Sequence, residues 1–263
     1  MTTASGTIPT FGAIVIGDEI LSGRRQDRHV PAVIERLNAR GLRLGWAMII
    51  GDDPLQITAT LERSMQAEDI VFCFGGIGAT PDDLTRECAA AAAGVPLTRH
   101  PDAVAEIEAR FGEQAWPHRV LMADLPEGAE LIPNDFNRVP GFSIRQHFFM
   151  PGFPQMAHPM LDWVLSGPLR ALTDPDHIEL ALLVHDASES DLLELMRRTT
   201  EKWPALKLFS LPIIREQGRL LELGLKGPRG LAQPAFEELE HTLVGLGLNC
   251  HRLDQSEQES AHG

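Results

Sequence analysis

The sequence predicts an α/β protein whose mainly parallel sheet is covered by helices on both faces and is followed by a small α+β sandwich. Short apolar runs alternate with segments whose apolar residues recur three or four positions apart, and the turns between them are short. After residue 177 the order of predicted elements becomes β-α-β-β-α-β, the order of a split, ferredoxin-like sandwich. We therefore expect two domains of different architecture.

The elements of the first domain follow from its apolar pattern. The predicted strands are apolar runs that stop at a glycine or a turn: Phe11–Ile16, Leu42–Ile50, Ile70–Phe74 and Ile144–Met150. The predicted helices carry apolar residues on one face: Asp27–Arg40, the segment after Pro54, Asp83–Ala93, Pro101–Phe111 and Pro154–Leu165. Gly41 and Gly94 are expected to cap two of these helices, and Phe153 is expected to act as a hydrophobic staple for the last one.

The second domain begins after Leu172–His177, a segment rich in turn residues. Its predicted elements follow in chain order: strand Ile178–Val184, helix Ser188–Glu201, strands Lys207–Ile214 and Leu220–Leu225, helix Pro234–Leu246 and strand Leu248–Leu253. The two middle strands are expected to form a hairpin, and the strand edges of the sandwich lead us to expect a homo-oligomer. The sequence thus predicts domains at 11–172 and 177–253 and a disordered tail at 254–263.

The composition limits the kinds of partner. The 263 residues carry a formal net charge of −14, with 43% hydrophobic and 23% charged residues. This is typical of a globular protein, and the acidic balance argues against nucleic acid or an anionic membrane as the partner. An acidic protein that binds phosphates must neutralise them locally with amides, a few basic side chains or a metal. We expect a small, phosphate-containing molecule as the ligand.

Cysteine spacing and the N-terminus bear on the cellular compartment. Cys73, Cys88 and Cys250 are scattered, without the spacing of a metal site or a disulfide framework, which suits a reducing compartment. Residues 1–10 lack the basic and apolar regions of a signal peptide, and no apolar stretch reaches the length of a membrane span. We expect a cytoplasmic protein.

The strongest functional signal is the segment 74–83, Phe-Gly-Gly-Ile-Gly-Ala-Thr-Pro-Asp-Asp, which follows an apolar strand. In an open parallel sheet, ligands bind beyond the carboxyl ends of the strands, where this loop lies. Amides at Gly75–Gly78 would hold phosphate oxygens. Asp82 and Asp83 are expected to point apart, so that one caps the next helix and the other faces the ligand. The alternative is a tight loop with an aspartate cap and no ligand.

Two further loops are expected at the same edge of the sheet. Gly17-Asp18-Glu19 follows the first strand, and Asp27 opens the next helix. Together with Asp82 and Asp83, these carboxylates would concentrate so much negative charge that a phosphate could bind beside them only with a divalent cation. The alternative is that Asp18 and Asp27 cap helices while Glu19 is solvated. Pro151-Gly152 ends another strand and either binds a ligand or forms a simple turn.

Other polar residues carry weaker signals. Asp52 and Asp53 follow the second strand near the mouth of the site, and their expected role is to cap the helix after Pro54. The histidines are spread without ligand spacing, and we interpret them as surface or packing residues: His29, His100, His118, His147 and His158. Ser22 has no Gly-x-Ser-x-Gly context, which argues against a serine hydrolase.

Three segments together resemble a known family: Gly17–Gly23, Gly75–Thr85 and Pro151–Pro154. Their order and spacing are similar to those of the molybdopterin-binding (MoaB/MogA-like) domain and, more closely, of the N-terminal half of the competence/damage-inducible protein A (CinA) family. The similarity covers residues 11–166 and extends more loosely to 253. The N-terminal domain of eukaryotic FAD synthase looks like another relative. The resemblance implies a three-layer αβα fold that binds a molybdopterin-like or adenine dinucleotide ligand.

The resemblance also implies divalent-metal-dependent pyrophosphate hydrolysis, on ADP-ribose or FAD, with Mg²⁺, Mn²⁺ or Co²⁺. The catalytic residues implied by it are Asp18, Glu19, Asp82 and Asp83, with Asp18 and Asp82 as the metal ligands. The ligand-binding residues implied by it are Gly17, Ser22, Asp27, Gly75, Gly76, Ile77, Gly78, Thr80, Thr85, Pro151 and Gly152. The chain departs from the family at Ala79, where proline is usual, and at His29, where asparagine is usual. The amidase domain of longer relatives, which acts on a nicotinamide nucleotide, is expected to be absent.

The sequence leaves three functions open. The first is metal-dependent hydrolysis of a nucleotide pyrophosphate, in which a cation held by carboxylates activates water and loop amides stabilise the phosphoryl oxygens. The second is a binding or carrier protein for molybdopterin without hydrolysis, since a fold alone does not set function. The third is an adenylyl-transferring step in molybdenum cofactor assembly.

Overall fold

The computed structural model describes residues 9–215 and 218–253. The chain divides into two compact units, with the boundary between Thr173 and Asp174. The predicted tail at 254–263 lies outside the described residues. Among the helices of the described ranges, none combines the length and the apolar character that crossing a membrane requires.

The first unit is built on a sheet whose strands run mainly parallel. In chain order the strands are β1 (Phe11–Ile16), β2 (Leu44–Ile50), β3 (Ile70–Phe74), β4 (Leu97–Arg99), β5 (Asp124–Pro126), β6 (Glu130–Ile132), β7 (Gly141–Ile144) and β8 (His147–Met150). Within the described residues the main sheet has the order β2-β1-β3-β8-β7-β6, and β4 pairs with β5. β2, β1, β3 and β8 are parallel neighbours, whereas β7 runs antiparallel to β8 and β6. The predicted mainly parallel sheet is confirmed.

Helices cover both faces of this sheet. They are α1 (Asp18–Leu21), α2 (His29–Asn38), α3 (Pro54–Gln66), α4 (Thr85–Ala93), α5 (Pro101–Phe111) and α6 (Pro154–Ser166). Leu61 of α3 lies in the same core as Ile14, whereas Leu161 of α6 lies in the opposite core with Val15. Consecutive residues of β1 thus enter different cores, which explains why the whole strand is buried. The predicted three-layer fold is confirmed.

The strand predicted at Ile144–Met150 is present as β8 (His147–Met150), but its predicted start is wrong because the chain reverses direction between Ile144 and His147. Arg145 and Gln146 form the turn between β7 and β8, with φ of 46° and 62°. Positive φ at both central residues is the geometry of a type I′ hairpin, for which Asn-Gly is a usual sequence. Arg-Gln carries no such signal, so the apolar residues on its two sides resemble one continuous strand.

The two predicted glycine caps are present, whereas the predicted staple is not. Gly41 follows the last turn of α2 in the left-handed conformation, with φ 70°, and the amides of Gly41 and Leu42 donate to the carbonyls of Asn38 and Leu37, both at 2.9 Å, which is a Schellman cap. Gly94 ends α4 in the left-handed conformation, with φ 68°, as predicted. Phe153 is the N-cap of α6 and is 45% exposed, so it does not act as a staple.

The second unit has the predicted β-α-β-β-α-β order. Its elements are β9 (His177–His185), α7 (Glu189–Lys202), β10 (Lys207–Arg215), β11 (Gly218–Pro228), α8 (Arg229–Gly245) and β12 (Cys250–Arg252). The antiparallel sheet has the order β10-β11-β9-β12, and β10 and β11 form the predicted hairpin. α8 begins at Arg229, before the predicted start at Pro234, and contains that proline in its second turn. Leu182, Leu223 and Leu239 belong to the core between sheet and helices.

Candidate functional site

Three loops that follow parallel strands meet at one end of the first unit's sheet. We call them the first loop (residues 17–28), the glycine loop (75–84) and the third loop (151–153). The Gly17 amide donates to the Ile50 carbonyl at the end of β2, and the Gly75 amide donates to the Met150 carbonyl at the end of β8, both at 3.0 Å. A Cβ placed on Gly152 would lie 3.4 Å from Gly75 Cα. The structure thus brings the three predicted segments together at the carboxyl ends of the strands.

Two residues of the glycine loop have no room for a side chain. Gly75 has φ 106°, and a Cβ there would lie 2.1 Å from the carbonyl oxygen of Ile16. Gly76 has φ 66°, and its Cβ would lie 2.2 Å from Thr85 Oγ1. Both the backbone conformation and the close neighbours require glycine. The next residue, Ile77, is buried in the core, so its contribution to a ligand is restricted to its backbone.

Two residues at the start of α4 hold the glycine loop in place. Thr85 is fully buried, and its hydroxyl donates to the Gly75 carbonyl at 3.0 Å. Arg86 is 4% exposed, and its guanidinium donates to the carbonyls of Gly78, at 2.7 Å, and Leu121. Burial lowers the pKa of Arg86. Sequence reasoning missed Arg86, because one arginine in an alanine-rich helix does not reveal which loop it contacts.

The acidic end of the glycine loop forms a turn. Asp83 Oδ2 accepts hydrogen bonds from the amide of Thr80, at 2.8 Å, and from its hydroxyl. α4 begins at Thr85 with Leu84 as its N-cap and without a side-chain cap. The prediction that one of the two aspartates caps this helix is therefore wrong, because Asp83 closes the turn instead. Asp82 is exposed to solvent.

Asp18 and Asp52 form a reciprocal pair between the first loop and the end of β2. The Asp18 amide donates to Asp52 Oδ2 at 2.9 Å, and the Asp52 amide donates to Asp18 Oδ1 at 3.3 Å. Burial raises the pKa of Asp52, and the negative charges of Asp18, Glu19 and Asp82 raise it further. These four carboxylates share one electrostatic environment, so Asp52 joins the predicted set although the sequence suggested only a capping role for it.

Two other aspartates cap helices. Asp27 accepts hydrogen bonds from the amides of His29, at 2.8 Å, and Val30, at 3.0 Å, so both of its oxygens are engaged at the start of α2. Asp53 accepts an amide hydrogen bond in the first turn of α3, as predicted. Ser22 is exposed in the first loop. The ligand-binding roles of Asp27 and Ser22 stay predictions.

His29 connects α2 to the third loop. The residue is 3% exposed, and its Nε2 donates to the Gly152 carbonyl at 3.2 Å, since a carbonyl oxygen can only accept. The ring stacks on Phe74 with centroids 4.4 Å apart, and His158 approaches edge-on at 5.5 Å. Burial lowers the pKa of His29 below its ordinary value of 6.5. The imidazole is therefore neutral at pH 7, and the predicted packing role is confirmed.

Four consecutive backbone amides of the glycine loop donate no hydrogen bond to a described residue: those of Gly76, Ile77, Gly78 and Ala79. Successive N–H groups in a turn form concavities that bind anions such as phosphate. The metal ligands are less defined: within residues 9–215 and 218–253, no group of three or more histidine, cysteine or acidic side chains is arranged to hold a metal.

Comparison with known proteins identifies relatives of the first unit. The family described as "Probable molybdopterin binding domain" matches residues 12–171. A CinA-like protein from Anaeromyxobacter dehalogenans is 35% identical over 160 residues, which are 58% of this chain and 39% of that protein. A CinA-like protein from Citrifermentans bemidjiense is 33% identical over 189 residues, which are 69% of this chain and 45% of that protein. The chain spans less than half the length of these curated relatives.

A solved structure is similar as well. The crystal structure of the protein CinA, of unknown function, from Thermoplasma acidophilum has a TM-score of 0.55 and 27% sequence identity, and the match covers 60% of this chain and 97% of that chain.

Proposed function

Because the chain belongs to the family of molybdopterin-binding domains, we propose that its three loops bind a small molecule that contains both a phosphate group and a heterocyclic ring. The observation that carries this proposal is the row of N–H groups at residues 76–79, which Thr85 and Arg86 hold at the carboxyl end of β3. Phosphate oxygens bind such amides without requiring a basic patch, which agrees with the net charge of −14. Molybdopterin, ADP-ribose and FAD all have this chemistry.

We propose further that the site hydrolyses a pyrophosphate bond with a divalent cation, Mg²⁺, Mn²⁺ or Co²⁺. One or two of the carboxylates Asp18, Asp52 and Asp82 would hold the cation, since the negative charges of Asp18 and Asp82 raise the pKa of Asp52 and a cation beside it would relieve that repulsion. Magnesium is commonly bound by one or two carboxylates together with the phosphates of the substrate, so a larger protein cage is not required. When bound, the cation supplies charge neutralisation and a more acidic water. Glu19 is the carboxylate proposed to accept a proton from the attacking water.

Turnover assays test this activity. Purified protein is incubated with ADP-ribose or FAD and each of the three cations, and release of the nucleoside monophosphate is measured. Wild-type protein is expected to release it, and Asp18→Ala and Asp82→Ala are expected to lose most of the activity. Asp102→Ala, an exposed carboxylate on α5, is the matched control and is expected to retain it. Absence of turnover with every substrate, or full activity in both site variants, would contradict hydrolysis.

Binding without hydrolysis is the second candidate. It is favoured by the observation that Asp27 and Asp83 already accept hydrogen bonds within the protein, which leaves fewer carboxylates for chemistry. Calorimetry with a pterin, in the presence and absence of metal, separates the two candidates. Metal-independent pterin binding without any product supports the carrier, whereas ATP consumption in the presence of molybdopterin would indicate adenylyl transfer.

A further inference from the structure

Phe153 is an exposed aromatic residue at the junction of the loops. It directly follows Gly152, where an added Cβ would lie 3.4 Å from Gly75 Cα of the glycine loop. Nevertheless 45% of its surface is exposed, although Phe72, Phe74 and Phe149 of the adjacent strands are fully buried. The exposed part of this ring is therefore open to a flat group bound at the loops.

The backbone on both sides of this ring is fixed. The Phe153 carbonyl accepts hydrogen bonds from the amides of Met156 and Ala157, both at 2.9 Å, as α6 begins. Pro154 occupies the first helical turn, and on the other side the Gly152 carbonyl accepts from His29 Nε2 at 3.2 Å. The ring is thus presented from a rigid segment, which reduces the entropy lost when a ligand binds.

A cation from the first loop lies over the ring. The guanidinium carbon of Arg25 is 5.3 Å from the ring centroid of Phe153. The Arg25 amide donates to the Glu19 carbonyl at 3.0 Å, so the side chain comes from the segment that also carries the acidic residues. Planar guanidinium and aromatic groups stack on heterocyclic rings, which are flat and polarizable.

We propose that Phe153 and Arg25 form a stacking platform for the heterocyclic ring, purine or pterin, of a ligand whose phosphates bind the amides of the glycine loop. The platform rests on the proposed function and adds the residues that recognise the ring. It assigns the ring to the third and first loops and the phosphate to the glycine loop, so the two parts of the ligand are recognised by different residues.

Calorimetric titrations with three probes test this assignment. AMP carries a purine and a phosphate, 6-carboxypterin carries the pterin ring, and inorganic phosphate carries no ring. Phe153→Ala is expected to weaken binding of AMP, of 6-carboxypterin or of both by at least about fivefold, and to leave inorganic phosphate unaffected. Phe153→Tyr keeps the ring and is expected to bind as the wild type does. The ringed probe whose affinity falls in Phe153→Ala shows whether the platform stacks on a purine or on a pterin.

Trp163→Ala is the matched control, because Trp163 is an aromatic residue on the same helix, 42% exposed and more than two turns further along. It is expected to leave all affinities unchanged. The platform would be overturned, and the proposed function kept, if Phe153→Ala bound AMP and 6-carboxypterin as tightly as the wild type does. The same conclusion would follow if Phe153→Ala lost as much affinity for inorganic phosphate as for the ringed probes. Failure of wild-type protein to bind any of the three probes would overturn the proposed function and the platform with it.

Discussion

Replacing Arg86 by methionine tests how the glycine loop is held. The guanidinium is buried and donates to the carbonyls of Gly78, at 2.7 Å, and Leu121. Methionine retains much of the apolar stem but leaves both carbonyl oxygens without this donor. A hydrogen bond that involves a charged group contributes about 1.5–3 kcal/mol to stability.

The expected loss is smaller than the sum of two such bonds. Removing a buried charge relieves its desolvation cost, which offsets part of the loss. The hydrogen bond to the Leu121 carbonyl is only partly buried, so its net contribution is smaller than that of a fully buried bond. We expect Arg86→Met to lower the free energy of unfolding of the first unit by about 2–3 kcal/mol, on the scale of hydrogen bonds to charged groups. For a unit of this size that corresponds to a fall of about 4–12 °C in melting temperature.

Urea unfolding followed by circular dichroism measures the stability, and calorimetry with ADP-ribose measures the affinity. Arg86→Lys keeps the charge but not the planar fork, so it is expected to recover only part of the loss. Arg110→Met removes an exposed arginine on α5 and is expected to change stability by less than about 0.5 kcal/mol. Equal stability and affinity of Arg86→Met and Arg110→Met would refute this account of the loop.

Three other changes have defined outcomes. Gly76→Ala is expected to cost about 1–3 kcal/mol in urea unfolding, because alanine is strained at positive φ and its Cβ would meet Thr85 Oγ1. Asp52→Asn is expected to raise the melting temperature measured in EDTA, because it removes a partly buried charge that neighbouring carboxylates repel. It is also expected to reduce the rise in melting temperature that Mg²⁺ causes, and an unchanged effect of Mg²⁺ would count against Asp52 as a ligand. Burial lowers the pKa of His29 and His147 below 6.5, so the unfolded chain binds more protons than the folded one below that pH. Stability is therefore expected to fall as the pH is lowered from 7 to 5.5, with a smaller fall in His29→Asn; equal slopes would contradict a buried neutral His29.

The place where the three loops meet was predictable from the sequence, whereas some residues of the candidate site were not. Loops that follow parallel strands meet at one edge of a sheet, so the glycines after β1, β3 and β8 indicated where the candidate site lies. The position of Asp52 next to Asp18 depends on the pairing of Ile16 with Ile50 across β1 and β2, because this pairing places the first loop beside the end of β2. A single sequence does not reveal that register, so the sequence placed Asp52 near the mouth of the site but favoured a helix cap as its role.

Local sequence signals failed at two turns, where a competing hydrogen bond or the neighbouring strands decide the conformation. Asp82-Asp83 resembled a helix cap, but Asp83 bonds to Thr80 and the helix begins later. Arg145-Gln146 carries no turn signal, yet it forms the hairpin because β7 and β8 are apolar neighbours in the same sheet. The sequence showed a glycine at position 75, but its close approach to the Ile16 carbonyl becomes visible only in three dimensions.

A crystal structure of the protein with ADP-ribose and Mg²⁺ tests the central claim most directly. The expected result is a diphosphate whose oxygens lie within hydrogen-bond distance of the amides of residues 76–79, with the adenine ring against Phe153. A ligand bound away from the three loops, or loops left empty at saturating concentrations of both components and of a pterin, would contradict the claim that these loops form the ligand site.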